Sequence, residues 1–190
     1  MVKLEPNRAE GLIVTTEITP SQNEVVLRKN DFIVSKTDNV GRLTYCNPIF
    51  IEFSGYTEIE LLGKQHNVIR HPDMPRAVFN LLWNTVRSGK EFMGYVKNLC
   101  KDGSYYWVYA TVTPSYAPCN PGIEPEIIGY FSVRRKPDIA KLALIQDLYR
   151  DMLIAERRED RRDTIAAGMA VLNNVIQAKG KTYHEFIHTL

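Results

Sequence analysis

Residues 91–114 read EFMGYVKNLCKDGSYYWVYATVTP, and this stretch decides the fold. Two alternating runs, Glu91–Cys100 and Ser104–Pro114, flank Lys101-Asp102-Gly103, a strong tight-turn signal. The pattern predicts an antiparallel hairpin. Successive strand side chains point to opposite faces. Val108, Ala110 and Val112 therefore share one face, and Tyr105, Trp107, Tyr109 and Thr111 share the other. On the partner run, Phe92, Gly94, Val96 and Asn98 share a face. The aromatic face is too large to leave wet. It requires cover from the N-terminal segment, from C-terminal helices or from a partner.

Working outward, Glu126–Arg135 reads as one more strand. Upstream, Asp73 stands near a helix N-cap and Pro75 lies in the first turn. Val78, Phe79, Leu82 and Val86 make an apolar stripe at helical spacing, and Gly89 is a stop. Phe32–Lys36 and Arg42–Cys46 form a hairpin around the turn Asp38-Asn39-Val40-Gly41. Asn47–Ser54 and Glu58–Leu62 are short helices punctuated by Gly55 and Gly63. The order β-β-α-α-α-β-β-β predicts an α+β fold: a five-stranded antiparallel sheet with its helices on one face. A pocket between sheet and helices is a natural small-molecule site. Residues 1–30 are expected to be a lead-in or cap, with Gly11–Thr19 strand-like and ended by Pro20. Residues 31–136 make the core and 137–190 a helical extension.

The chain has 190 residues, 44% hydrophobic and 24% charged, which suits one globular core with flanking segments. A net charge of +2 gives no electrostatic case for nucleic acid or acidic membranes. No apolar run approaches the roughly 20 residues that span a bilayer. Met1–Glu10 is polar, without a signal-peptide core, so a cytoplasmic chain without membrane insertion is expected. Cys46, Cys100 and Cys119 form no CxxC or zinc spacing and read as free thiols. No phosphate loop, GxGxxG, HExxH or nucleophile elbow is present, so a binding and signalling module rather than an enzyme is expected.

Asn47-Pro48-Ile49-Phe50, then Ser54-Gly55-Tyr56, then Glu60 and Gly63 follow the generic PAS pattern. His66-Asn67-Val68-Ile69-Arg70-His71-Pro72-Asp73-Met74-Pro75 is a sharper match. With it come Val96-Lys97-Asn98, Lys101-Asp102-Gly103, Tyr106-Trp107-Val108, Pro114, Gly129-Tyr130 and Ser132-Val133-Arg134. Together they resemble the PAS domain of bacterial aerotaxis receptors. The resemblance covers roughly residues 31–136. It implies non-covalent FAD and redox or oxygen signalling to a chemotaxis receptor or kinase. It also implies Asn47, Arg70, His71, Asp73, Trp83 and Asn98 as positions for flavin binding or signalling. One departure stands out: many flavin-binding members carry Trp where this chain has Phe92, with less stacking area and no N–H. The light-sensing flavin class needs a cysteine where this chain reads Gln65-His66-Asn67-Val68-Ile69-Arg70.

Each position also has a physical reading. Asn98 is an amide on an otherwise apolar strand face and needs partners, which a flavin pyrimidine edge or a cross-strand neighbour offers. Gly94 lets a planar ring approach the strand, or marks a bulge. Arg70 suits a pyrophosphate or carboxylate, or bridges to an Asp73 that caps the following helix. Trp83 packs at the core or rim, or stacks on a ring. His66 and His71 keep a haem-based gas sensor open, since one imidazole holds haem iron. A cofactor-free interaction module is the other alternative, favoured by Phe92.

Beyond the core, Leu142, Ile145, Tyr149 and Met152 follow 3-4-3 spacing. This is a short coiled-coil seam, or a face that packs back on the outer sheet. Glu156–Asp163 reads as a solvated helix face or hinge. Ile165, Met169, Leu172 and Ile176, then Tyr183, Phe186, Ile187 and Leu190, make two more amphipathic stretches. The chain carries no membrane or signalling domain of its own, so signalling through another protein or a homodimer is expected.

Overall fold

The computed structural model describes residues 18–120, 122–159 and 163–190. Most of the strand-like segment Gly11–Thr19 lies outside the described residues. In order come β1 (Phe32–Asp38), β2 (Leu43–Cys46), α1 (Pro48–Ser54), α2 (Glu58–Leu61), a 3₁₀ turn (His66–Ile69) and α3 (Arg76–Arg87). β3 (Phe92–Leu99), β4 (Tyr105–Tyr116) and β5 (Ile127–Arg135) follow, then α4 (Ile139–Arg158), α5 (Thr164–Ala178) and α6 (Tyr183–Thr189). The strands form one antiparallel sheet in the order β2-β1-β5-β4-β3. Among the described residues, the core strands and helices expected from residue patterning are present, with ends moved by up to three residues.

The expected hairpin sets the register. Phe92 pairs with Val112, Gly94 with Ala110, Val96 with Val108 and Asn98 with Tyr106. On β5, Tyr130 pairs with Pro114, Ser132 with Val112 and Arg134 with Ala110. The inner sheet face therefore carries Ser132 and Arg134 as well as Asn98. Phe50, Phe53, Leu61, Ile69, Val78, Leu82 and Val86 are buried in the core with Tyr106 and Val108.

The outer face is covered by the chain itself. Tyr149 of α4 lies 6.3 Å from Trp107, ring to ring, and Leu142, Ile145 and Met152 are buried. The 3-4-3 seam thus packs on its own sheet. β3 is an edge strand, and its open side is protected. The Tyr149 hydroxyl donates to the Tyr95 carbonyl at 2.9 Å, and the Lys97 N–H meets the Met74 sulfur at 3.2 Å. Tyr149→Phe is expected to cost about 1 kcal/mol, one buried hydrogen bond. Urea denaturation checks this; an unchanged midpoint counts against the edge-protection role.

Residues ahead of β1 run beside the β3–β4 turn. Ser21 N–H bonds the Gly103 carbonyl at 2.7 Å and Val25 N–H the Tyr105 carbonyl at 2.8 Å. Gly103 has φ of 88°, and a Cβ there would lie 2.4 Å from the Thr19 carbonyl oxygen. The turn and the lead-in therefore both require glycine at this position.

The helical extension departs from expectation at Glu156. It is buried, not part of a solvated face; residues 160–162 of that charged run lie outside the described residues. Its carboxylate accepts hydrogen bonds from the Arg76 and Ala77 N–H groups, each at 2.9 Å. These are free N–H groups at the start of α3. Asp73 does not cap α3: Pro75 holds the N-cap position without a side-chain bond, and Asp73 pairs with Lys97 at 2.9 Å. Residues 71–74 form a turn closed by the Met74 N–H on the His71 carbonyl at 3.1 Å, and Pro75 is extended, so the helix opens at Arg76 and the cap arrives from α4 instead.

Candidate ligand-binding site

Between α3 and the inner sheet face lies a cavity of about 540 Å³. That is within the range of small-molecule sites. Its apolar wall comes from Ile69, Leu82, Val96, Ala110 and Val112, with Phe79 and Trp83 on the helix side. Ile165 of α5 also borders it. α3 turns Leu82 inward because Val78, Leu82 and Val86 repeat at helical spacing and are all buried.

The polar groups come from strand alternation. Asn98 on β3, Ser132 and Arg134 on β5, and Ser35 and Thr37 on β1 all line the cavity. Several are unpaired: Asn98 Nδ2, the Thr37 and Ser132 hydroxyls and Arg134 Nη1 are buried without a hydrogen bond. Tyr106 and Asn98 are close neighbours, but their geometry falls short of a hydrogen bond and the phenol is also unsatisfied. Buried polar groups are ordinarily bonded, so so many around one cavity point to a missing partner.

Within that lining a cluster gathers around Arg134. Arg134 Nη2 donates to Ser35 Oγ at 2.7 Å and makes a very close contact with His66 Nε2. Its guanidinium lies 5.2 Å from the Phe50 ring. Burial, and then the Arg134 charge, push the His66 pKa down to about 3, so the imidazole is neutral.

Of the expected positions, the structure brings Asn98, Arg70 and Trp83 to the cavity wall. Arg70 does not bridge to Asp73. It donates to the Met74 carbonyl at 3.2 Å, its guanidinium lies 4.4 Å from the Phe79 ring, and its backbone bridges Asn98. Trp83 stands edge-on to Tyr130 at 5.4 Å, beneath the Arg87 guanidinium.

The other five lie elsewhere. Asn47 caps α1: its Oδ1 accepts from Phe50 N–H and Val34 N–H, and its Nδ2 donates to the Phe32 carbonyl. These bonds use both Oδ1 lone pairs and one Nδ2 hydrogen, leaving a single amide hydrogen free. His71 is turned away, with Nδ1 accepting from Asp73 N–H and its ring edge-on to Tyr105. Burial, and then Lys97, lower its pKa to about 4. Asp73 is half-exposed beside Lys97. Phe92 and Gly94 share the inner face with Asn98, but Tyr183 of α6 covers them. The Tyr183 ring stacks on Phe92 at 5.7 Å and 16°, and a Cβ on Gly94 would lie 2.7 Å from the Tyr183 hydroxyl. Gly94 therefore admits a ring, and that ring is the chain's own.

Sequence reasoning passed over Arg134, Ser132 and Thr37. Their signal was legible, since polar residues on a core-facing alternation are the informative exceptions. None of the cavity-lining residues is a cysteine. No metal-ligand cluster occurs among the described residues, and none of their helices is long and apolar enough to cross a membrane.

Residues 43–120 match the PAS fold family. The chain is 37% identical to the aerotaxis receptor of Escherichia coli (strain K12) over 137 residues, covering 72% of this chain and 25% of that protein. It is 27% identical to the nitrogen fixation regulatory protein of Klebsiella pneumoniae over 142 residues, 75% of this chain and 25% of that one. The chain thus spans about a quarter of the length of these relatives. Among solved structures, the light-state blue-light photoreceptor Aureochrome1 LOV superposes with a TM-score of 0.52 at 17% identity, over 63% of this chain and 90% of that one. That likeness concerns the fold alone. The sheet order, the family match and the aerotaxis-receptor similarity agree, and this chain carries a PAS sensor domain of the bacterial aerotaxis-receptor type.

Proposed function

We propose that this PAS domain holds FAD non-covalently in the inner-face cavity and reports redox or oxygen state to a signalling protein. The reading takes residues 31–136 as the sensor and 137–190 as the extension through which it signals. The observation that carries it is the ring of unpaired buried groups, Asn98, Ser132, Thr37 and Arg134, around a largely apolar cavity. A flavin ring offers apolar faces and an edge of alternating donors and acceptors, which suits that wall. FAD would supply reversible electron uptake. The chain's own residues would bind the ring, exclude water and sense the change in charge. On this reading the protein is a cytoplasmic binding module without catalytic chemistry. It acts as a homodimer or on a chemotaxis receptor or kinase.

Signal must leave by elements that touch the cavity. α3 lines it, Glu156 of α4 caps α3, and Ile165 of α5 borders it. A change at the wall can thus bias the packing of α4 and α5, provided the two redox states bind the two packings differently.

The test is the visible absorbance of purified protein before and after addition of FAD. Flavin bands that stay with the protein through gel filtration support the reading; protein that stays colourless with excess FAD refutes it. Asn98→Ala is expected to weaken FAD binding about tenfold, the loss of one to two hydrogen bonds. An unchanged Kd would remove Asn98 from the site.

The cofactor-free interaction module has one observation in its favour. Tyr183 already covers Phe92 and Gly94, so part of the inner face is filled by the chain itself. It predicts the colourless outcome. The haem reading loses His71, which faces away from the cavity, and retains only His66 there.

A further inference from the structure

Among the described residues, Arg134 is a cation with no anion. It is 3% exposed, and Nη1 has no partner. The ion pairs of the described residues involve Arg28, His71, Lys97, Lys101 and Arg150 as their basic members, not Arg134. The guanidinium's polar contacts are the Ser35 hydroxyl and the neutral His66 imidazole, with the Phe50 ring beside it. Two further ionisable groups are near enough to act on it, Tyr106 and Cys46. Burial raises both, Cys46 to about 11, so both are protonated and uncharged near neutral pH.

A guanidinium stays charged under these conditions. Burying a charge without a counter-charge costs several kcal/mol. Proteins ordinarily pair such charges. Here the described residues supply no counter-ion, and the free Nη1 belongs to a side chain in the cavity wall. Ser132, on the same strand face, adds a second unpaired hydroxyl at that wall.

We propose that Arg134 is the cation of an anion-accepting subsite, which the ligand of the cavity fills with a negatively charged or ionisable acceptor. The subsite rests on reading the cavity as a ligand site, and names the charge that ligand must present. Its ligand class is a planar ring carrying an acidic N–H, or a small carboxylate. For a flavin the consequence is specific. Uptake of two electrons and one proton leaves the reduced ring with one negative charge, whereas the oxidised ring is neutral. Charge near the ring is a recognised means of tuning it. Arg134 would therefore favour the reduced ring over the oxidised one.

The competing role is structural, with Arg134 fixing Ser35 and His66 beneath Phe50. Arg134→Met keeps length and apolar contact and removes the charge; Arg134→Lys keeps the charge. Two measurements separate the roles. In the FAD-free protein, an uncompensated charge predicts that Arg134→Met unfolds at the same or a higher temperature. A fall of more than about 3 °C, roughly 1 kcal/mol for a chain of this size, assigns Arg134 a structural role and overturns the proposal. In FAD-loaded protein titrated with dithionite, Arg134→Met is expected to lower the ratio of reduced-ring to oxidised-ring affinity at least tenfold. That is a drop of about 30 mV for a two-electron couple, and Arg134→Lys should restore most of it. An unchanged midpoint overturns the proposal even if FAD binds. If the parent protein binds no FAD, the flavin reading fails by itself, and the unfolding comparison alone decides the anion subsite.

Discussion

Glu156→Ala is expected to cost about 3 kcal/mol of stability. Its carboxylate is buried, and each oxygen accepts a backbone N–H at the start of α3, both at 2.9 Å. α3 has no other side-chain cap, because Pro75 occupies the N-cap position. The helix end is electropositive, so a carboxylate there gains from the macrodipole as well. Alanine would leave two N–H groups facing a gap at a packed junction. Gly168 of α5 sits against the same carboxylate. A Cβ on it would lie 2.5 Å from Glu156 Oε1 and 2.9 Å from the Ala77 Cβ. Three helices thus close around one side chain. Urea denaturation of the parent, Glu156→Ala and Glu156→Gln measures the cost. Glutamine keeps an acceptor and should lose less than half as much. A loss under 1 kcal/mol for alanine would show that α3 finds another cap, and that the junction does not tie the extension to the sensor. If it does tie them, Glu156→Gln should also blunt any response of the extension to the state of the cavity.

Acidification is the second large effect. His66 and His71 are both buried, with pKa values lowered to about 3 and about 4. Burial is the first cause in each, followed by a nearby cation, Arg134 for His66 and Lys97 for His71. In the unfolded chain both imidazoles protonate near the ordinary histidine value of about 6.5. Between that value and about pH 4 the unfolded state binds more protons than the folded one, so stability falls as the pH falls. Each histidine contributes a slope of up to about 1.4 kcal/mol per pH unit. Stability from these two groups is complete above about pH 6.5. The carboxylates held low by partners, Asp31 by Arg28 and Glu60 chiefly by Lys101, act in a lower window, below their own ordinary range near pH 4. Urea midpoints at pH 7.5 and 5.0 should therefore differ clearly. His66→Gln and His71→Gln should each flatten the difference. A midpoint independent of pH across that interval would mean that neither ring is desolvated as the structure has it.

What the sequence determined by itself was local in origin. Alternation in residues 91–114 set the strand faces, and the KDG turn fixed their register, because a strand's side-chain period of two leaves one solution when a face is buried. The motif set from Asn47 to Arg134 identified the PAS domain without coordinates. The aromatic outer face announced that something must cover it, and the 3-4-3 spacing of α4 contained the answer beside a coiled-coil alternative. Both readings bury the same residues, so spacing could not separate them.

The tertiary structure decided everything that depends on contacts between distant segments. Asn47 has a polar side chain in a motif, yet three of its four hydrogen-bonding positions go to backbone partners. His71 is a neighbour of Arg70 in sequence and faces the other way in space. Phe92 and Gly94 share a face with Asn98 but lie under Tyr183, about 90 residues onward. Glu156 looked like one charge in a solvated run and is the cap of a helix 80 residues upstream. Arg134 entered as the last residue of the Ser132-Val133-Arg134 match and is a buried cation without a counter-charge among the described residues. In each case the cause is the same. A polar side chain's role is set by whichever donors, acceptors and charges the fold brings within about 3 Å of it, and local periodicity carries no record of those partners.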